Sequence, residues 1–416
     1  SVIQGANQGG SQGRDHSGDM IPDPAAIRRA LPEGHGFLSY HLAPRFAVVA
    51  WVTQDGEGWL QLDDDLSSKL TALADRLDFQ WSAAAMVGAR RAMKMMVAIP
   101  AVATQVGPAV APNVATRFAS AAGITGAGPI DPFQLLRHST DSILSEMHAL
   151  VWRPLVDAGF REDLRWIVSP HGAVHRLPFP ALLGADGPLV ERTSVQVVPS
   201  ARIWLELQER RPRVRRRAAQ RATQRVSRRA SRRAYVAGVP SPELPAVERE
   251  VALVGKHLSG WEIVTDLAPT RETLRREGAR AGLIHLAAHG SLRKDNPAFS
   301  SIQLADGPLF VHDLAGFRLS GSTVVLTACS SGRGVAPSGD EWIGLARGFL
   351  QAGASAVVAS LWPIEDEATL ELADLFYEGV AAGQNIVEAL RRAMVRSRGT
   401  RPHPWHWASL AVLGGG

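Results

Sequence analysis

Cysteine is nearly absent from this chain: Cys329 stands alone in 416 residues. One thiol excludes an intrachain disulfide and any zinc site built from several cysteines, and it suits a reducing cytoplasm, the expected location. Acidic residues are missing from 210–233, where twelve arginines stand. With those twelve set aside the formal net charge moves from +5 to −7. Basicity is thus a property of one segment, and the rest of the chain carries no electrostatic footprint for a polyanion. Unbroken apolar runs are missing as well. The longest uncharged stretch, Met95 to Thr116, is mostly Ala and Val and holds Pro100, Pro108 and Pro112, so it reads as an Ala/Pro-rich insertion and no membrane role is expected. No tetratricopeptide-like repeat is visible, which places any regulator outside this sequence or in a separate protein. The polar, Gly/Gln-rich residues 1–20 lack the apolar run of a signal peptide and are read as a disordered tail. Contiguous Asp63, Asp64 and Asp65 lack the spacing of a calcium loop, so no metal and no cofactor is expected.

What is present suits a globular α/β protein of two units. Hydrophobic residues make up 45% of the chain and charged residues 20%, and the length exceeds one typical domain. The first unit, 21–209, opens with a helix over Ala25–Leu31. β-type runs Phe37–Tyr40, Phe46–Thr53 and Trp59–Leu62 follow, with a turn at Gln54, Asp55 and Gly56. A helix is expected over Leu66–Leu77, then the insertion at about 83–130, then one long helix over Phe133–Leu155. Strands over Leu164–Val168 and Val195–Val198 complete the unit. The Arg-rich connection, 210–233, separates it from the second unit, 234–416. There strands and helices alternate: Tyr235–Val239, Ala246–Leu258, Glu262–Thr265, Arg271–Gly278, Leu283–Ala287, Thr323–Ala328, Glu341–Ala352, Ala356–Leu361 and Glu367–Ala382. Alternation of this kind argues for a parallel sheet covered on both faces, a doubly wound three-layer αβα sandwich.

His289 and Cys329 each stand just past the carboxyl end of an apolar strand in that scheme. In open parallel sheets the ligand crevice lies there, so if the two strands are neighbours a thiol–imidazole pair faces the substrate. An imidazole that takes the thiol proton raises the thiolate fraction, and the thiolate is the nucleophile. Gly290 offers a backbone N–H without a Cβ in the way, and the N–H of Cys329 is the natural second donor for an oxyanion. A lone Cys beside an apolar strand is more often core packing. The small-residue runs His289-Gly290 and Cys329-Ser330-Ser331-Gly332 are what tilt the reading toward a site.

At these residues the sequence resembles the CHAT family, caspase-like proteases related to separases, metacaspases and gingipains. The resemblance rests on LIHLAAHG (283–290), VVLTACSSG (324–332), the Gly339-Asp340-Glu341 step, GLARGFLQAGASAVVASLWPIED (344–366) and PHPWHWASLAVLG (402–414). SPHGAVHRLPFPALL (169–183) and LPAVEREV (244–251) also look like family segments. It implies His289 as base, Cys329 as nucleophile, and a caspase-like fold in which a degenerate pseudo-caspase half packs against a catalytic half. Ser330 departs from the acidic residue often found after the family's cysteine. Ser360, Leu361 and Trp362 resemble the substrate-side wall of the cleft, which makes Glu365 and Asp366 candidates for reading a basic substrate side chain. Both carboxylates also suit the start of a helix on dipole grounds alone. Glu341 either organises the active-site loop or begins a helix, and Trp405 and Trp407 read as core closure.

The expected function is a CHAT-type cysteine endopeptidase that cleaves a specific protein partner, in bacterial signalling, regulated cell death or defence against phage, under a sensor or regulatory protein. If arginine is preferred, the Arg-rich connection is a self-processing site. The competing reading is a non-catalytic scaffold that grips nucleic acid or an acidic partner through that segment. Arginine runs without interleaved aromatics are usually solvated linkers, so nucleic acid is the weaker expectation.

Overall fold

The computed structural model describes residues 23–98, 132–210, 232–242, 244–293, 296–319, 321–327, 340–362 and 364–415. Cys329, the tail at 1–20, residues 99–130 of the insertion and residues 211–231 of the Arg-rich connection lie outside them.

Helix α1 (Pro24–Ala30) starts the first half, with Asp23 as its cap: the carboxylate accepts the Ala25 N–H at 3.0 Å. Strands β1 (His35–Ala43), β2 (Phe46–Val52) and β3 (Glu57–Gln61) form the expected antiparallel ladder, closed at its turn by the Thr53 N–H on the Gly56 carbonyl at 2.7 Å. Helix α2 (Leu66–Ala98) is far longer than the expected Leu66–Leu77. Residues 78–98 are rich in Ala, Met and Arg, good helix formers, and the first proline comes only at Pro100. Buried Trp81 and Ala84 prolong the inward face of Leu70, Leu73 and Leu77. The beginning of the expected insertion is therefore helix. Beyond it, the single helix expected over Phe133–Leu155 is two, α3 (Pro132–Val151) and α4 (Arg153–Asp157). Pro154 has no N–H to continue the ladder, and Trp152 between them is fully buried. Strands β4 (Arg165–Ser169), β5 (Leu183–Gly184), β6 (Gly187–Pro188) and β7 (Val195–Val197) complete this half.

The second half runs β8 (Arg233–Gly238), α5 (Val247–His257), β9 (Glu262–Asp266), α6 (Arg271–Gly278) and β10 (Leu283–Ala287). A small three-stranded sheet, β11 (Gly290–Ser291), β12 (Ser301–Leu304) and β13 (Gly307–Phe310), interrupts it. Then come β14 (Thr323–Leu326), α7 (Asp340–Gln351), β15 (Ala356–Ser360), α8 (Asp366–Ala381), α9 (Ile386–Thr400), α10 (Pro404–Trp407) and β16 (Leu410–Gly414).

All the long strands share one sheet of order β3-β2-β1-β4-β7-β16-β15-β14-β10-β8-β9. Strand β16 joins the halves: it runs antiparallel to β15 and parallel to β7. Central strands carry apolar side chains on both faces. Leu283 and Ala287 of β10, Val325 of β14 and Ala356 and Val358 of β15 face the layer that holds α2, α3, α5, α8 and α9. Ile284, Leu286, Val324, Leu326, Val357 and Ala359 face the opposite layer, with α7. The mostly parallel sheet with helices on both sides is the expected three-layer architecture.

Candidate active site

Strands β10 and β14 are direct parallel neighbours, with Leu283 opposite Thr323 and Leu286 opposite Leu326. His289 follows Leu286 by three residues, and Cys329 follows Leu326 by three. Both strands are buried on their two faces, so the chain can leave them only at their carboxyl ends, and His289 emerges there half-buried. Its backbone carbonyl accepts the Gln303 N–H at 2.8 Å, which ties it to the small sheet. Its ring Nε2 lies 2.8 Å from the Ser241 hydroxyl oxygen, in the loop after β8. In the tautomer with the proton on Nε2, Ser241 accepts it and Nδ1 is left as the basic ring nitrogen. Gly290 begins β11, paired opposite Ile302.

A small cavity opens beside these strand ends, lined by Leu244, Ala246, Val247, Glu250, Ala287, Ala288, Thr327, Asp366 and Thr369. Asp366 stands in the first turn of α8, and the Ala246 N–H donates to its carboxylate. Burial raises its pKa above the usual aspartate value, with nearby Glu250 and then Glu367 pushing the same way. Glu250 is 4% exposed on the inward face of α5. Gly238 allows that placement: a Cβ on it would come within 2.4 Å of Val247, so only glycine lets α5 lie this close to β8. Beneath the cavity His285, wholly buried, has its Nε2 3.3 Å from Glu250 Oε1 and its Nδ1 2.9 Å from the Tyr377 hydroxyl. Burial, then the charge of Glu250, raises the Tyr377 pKa well above its ordinary value. The Thr327 hydroxyl and Glu250 Oε1 are buried without a hydrogen-bond partner among the described residues.

The remaining sequence candidates separate. Trp362 is buried in the core, its ring stacked on Trp81 of α2 at 4.6 Å and its indole N–H donating to the Trp405 carbonyl at 2.8 Å. Glu365 accepts from Arg401 Nη1 at 3.3 Å and packs on Gly88 of α2. Of the three proposed substrate-binding residues, Asp366 is the one that lines the cavity. Trp405 and Trp407 are buried. The backbone of Glu341 lies in the first turn of α7, and Cys329 lies outside the described residues. Among those residues no group of three or more His, Cys, Asp or Glu side chains is arranged to hold a metal ion, and no helix is long and apolar enough to cross a membrane.

Ser241, Glu250, His285 and Thr327 were not singled out from sequence. Glu250 and His285 sit inside LPAVEREV and LIHLAAHG, and a polar residue on an otherwise apolar strand or helix face was the available signal. Ser241 meets His289 only through the fold, 48 positions apart.

The CHAT domain family model matches residues 141–415. Tetratricopeptide repeat protein 28 of Mus musculus and that of Homo sapiens are each 26% identical over 211 residues, covering 41% of this chain and 8% of their own length. The chain thus spans only a small part of the curated relatives it matches. Among solved structures, the Saccharomyces cerevisiae separase–securin complex aligns over 94% of this chain and 30% of that one at 12% identity, with a TM-score of 0.50. The Arg-specific cysteine proteinase gingipain R aligns over 70% of this chain and 68% of its own at 9% identity, with a TM-score of 0.41. With a family match across most of its residues and the separase likeness in fold, the chain belongs to the CHAT domain family and has the caspase-like cysteine protease fold.

Proposed function

We propose that the chain is a cysteine endopeptidase in which His289 is the general base and Cys329 the nucleophile. The observation that supports this most is the in-register pairing of β10 with β14, which ends one strand at a hydrogen-bonded imidazole and leads the other, three residues on, to the single cysteine. In this reading His289 Nδ1 takes the thiol proton and the sulfur attacks the scissile carbonyl carbon. The negative oxygen of the tetrahedral intermediate is received by the N–H groups of Gly290 and Cys329. His289 returns the proton to the leaving amine as the C–N bond breaks, which leaves a thioester. A water, deprotonated by the same ring, then releases the acid and restores the thiol.

The cavity supports recognition of a basic side chain at the cleaved position. Asp366 lines it and Glu250 backs it with a second carboxylate, so a guanidinium or ammonium entering there relieves the mutual repulsion of the pair. We favour a protein substrate, with a regulator that bears tetratricopeptide repeats as the partner class, because the matching segment of the curated relatives is 8% of proteins named for such repeats. The Arg-rich connection is then a self-processing site, which a gel would show as two fragments meeting within 210–233 in wild type and one band in Cys329→Ala.

Fluorogenic peptides varied at the cleaved position, offered to wild type, Cys329→Ala and His289→Ala, test the reading. Turnover with a basic preference in wild type, lost in both variants, is expected. Activity undiminished in Cys329→Ala would remove the thiol from the mechanism.

A further inference from the structure

We propose that α2, an element of the first half, clamps Trp362 and Glu365 of the second half, and that Trp81 and Gly88 are positioning residues which fix where Asp366 stands in the cavity. This rests on the basic-residue recognition proposed above and adds a structural agent that no residue lining the cavity supplies.

Trp81 and Gly88 lie seven residues apart, close to two helical turns, and so on one face of α2. That face meets Trp362 at one end and Glu365 at the other. At the near end the Trp81 ring stacks on Trp362, with the planes 19° apart. Trp362 is fastened on its other side by its indole N–H to the Trp405 carbonyl, and its own carbonyl accepts the Ser360 hydroxyl at 2.7 Å. At the far end the Glu365 side chain packs against Gly88. A Cβ on Gly88 would stand 2.4 Å from Glu365 Oε1, 3.0 Å from its Cγ and 3.1 Å from its Cδ, closer than real contacts allow. The second Glu365 oxygen is held by Arg401, whose Nε is in turn bound to Glu371 at 2.9 Å.

Two adjacent carboxylates thus do different work. Glu365 is wedged between α2 and Arg401, whereas Asp366, the next residue, is bound by the Ala246 N–H and lines the cavity with Ala288 and Thr327. Among the described residues, those lining that cavity fall between 244 and 369, and none belongs to the first half. Its contribution passes through Glu365, the N-cap of α8, whose carbonyl accepts the Ala368 and Thr369 N–H groups at 3.0 and 2.9 Å, so displacing its side chain, pinned between Gly88 and Arg401, is relayed through that first turn to Asp366.

Gly88→Ala separates this role from ordinary packing. At an unconstrained helix position the change is mildly stabilising. Here the new methyl displaces Glu365. In a Cys329→Ala background, so that binding is read without turnover, the affinity of a hexapeptide with arginine at the cleaved position is compared with that of its citrulline counterpart. Gly88→Ala is expected to weaken the arginine peptide about tenfold and the citrulline peptide little. The effect should vanish when Asp366→Asn is already present, the non-additivity that marks action through that carboxylate. Trp81→Phe, which keeps an aromatic ring in the core, should show the same pattern more weakly. Arginine-peptide affinity within twofold of the parent in Gly88→Ala, or an undiminished effect in the Asp366→Asn background, overturns the clamp. No preference for arginine over citrulline in the parent overturns the basic pocket and the clamp together, and absence of turnover in wild type would instead count against the protease reading alone.

Discussion

Replacing Ser241 with alanine removes the hydrogen bond between its hydroxyl and His289 Nε2. The Ser241 oxygen and Nε2 are 2.8 Å apart and both residues are half-buried, with Ser241 in the loop from β8 to α5 whose Leu244 and Ala246 line the cavity. Its effect on rate follows from how the bond changes along the reaction, since an interaction equal in ground and transition state does not alter kcat. With a neutral imidazole it is an ordinary hydrogen bond, worth about 0.5–1.5 kcal/mol, and once His289 holds the thiol proton it becomes charge-assisted, worth about 1.5–3 kcal/mol. The difference, about 1–1.5 kcal/mol, corresponds to a loss of roughly 5- to 13-fold in kcat. Ser241→Thr keeps the oxygen and should retain most of the activity. The assay is steady-state turnover of the best peptide across pH, beside a thermal melt that confirms an unchanged fold. Ser241→Ala at a rate within twofold of wild type throughout the pH range, with an unchanged melting midpoint, refutes the assignment of Ser241 as the group that sets the tautomer of His289.

Asp366→Asn should lower kcat/KM for substrates with a basic residue at the cleaved position by roughly 10- to 150-fold, the worth of a charge-assisted contact, and leave neutral substrates much less affected. Because burial and the neighbouring Glu250 and Glu367 raise the Asp366 pKa, its charge is present at high pH and lost as pH falls through that raised value. KM for basic peptides should therefore begin to climb on acidification above the ordinary aspartate range of about 4, and a flat KM down to that range would contradict the role. Glu250→Ala removes the carboxylate 3.3 Å from the buried His285 ring and leaves that ring with Tyr377, so the fold should lose about 1–3 kcal/mol in urea denaturation, and an unchanged stability would show that the contact is not structural.

The second half was largely legible because its strands are buried on both faces and its helices are amphipathic. The β10 segment, Leu283–Ala287, is five buried residues between turn-forming neighbours, and such a run announces itself. The first half was harder. The Ala-rich residues 78–98 carry little hydrophobic periodicity, and the pattern alone did not show that Trp81 and Ala84 extend α2. Strand β16 lies in a segment that resembles the family, yet its place between β7 and β15, which welds the halves into one sheet, depends on pairings distant in sequence. At the site, His289 was readable from its position past a strand. The division between Glu365 and Asp366 was not, since adjacent acidic residues at a helix start look alike until α2 is seen to occupy one of them. Trp362 shows the same limit: a tryptophan beside a cleft segment suggests a wall, but its ring finds Trp81 in the core.

Because the chain holds a single cysteine, the proposed roles of Cys329 as nucleophile and His289 as its base are directly measurable. Wild type treated with a peptidyl chloromethyl ketone bearing arginine should gain one adduct by intact mass, mapped to Cys329, at a rate that falls at least a hundredfold in His289→Ala, within the range a positioned general base contributes, about 10²–10⁴. An adduct on another residue, or alkylation of Cys329 at an equal rate without His289, would contradict the account.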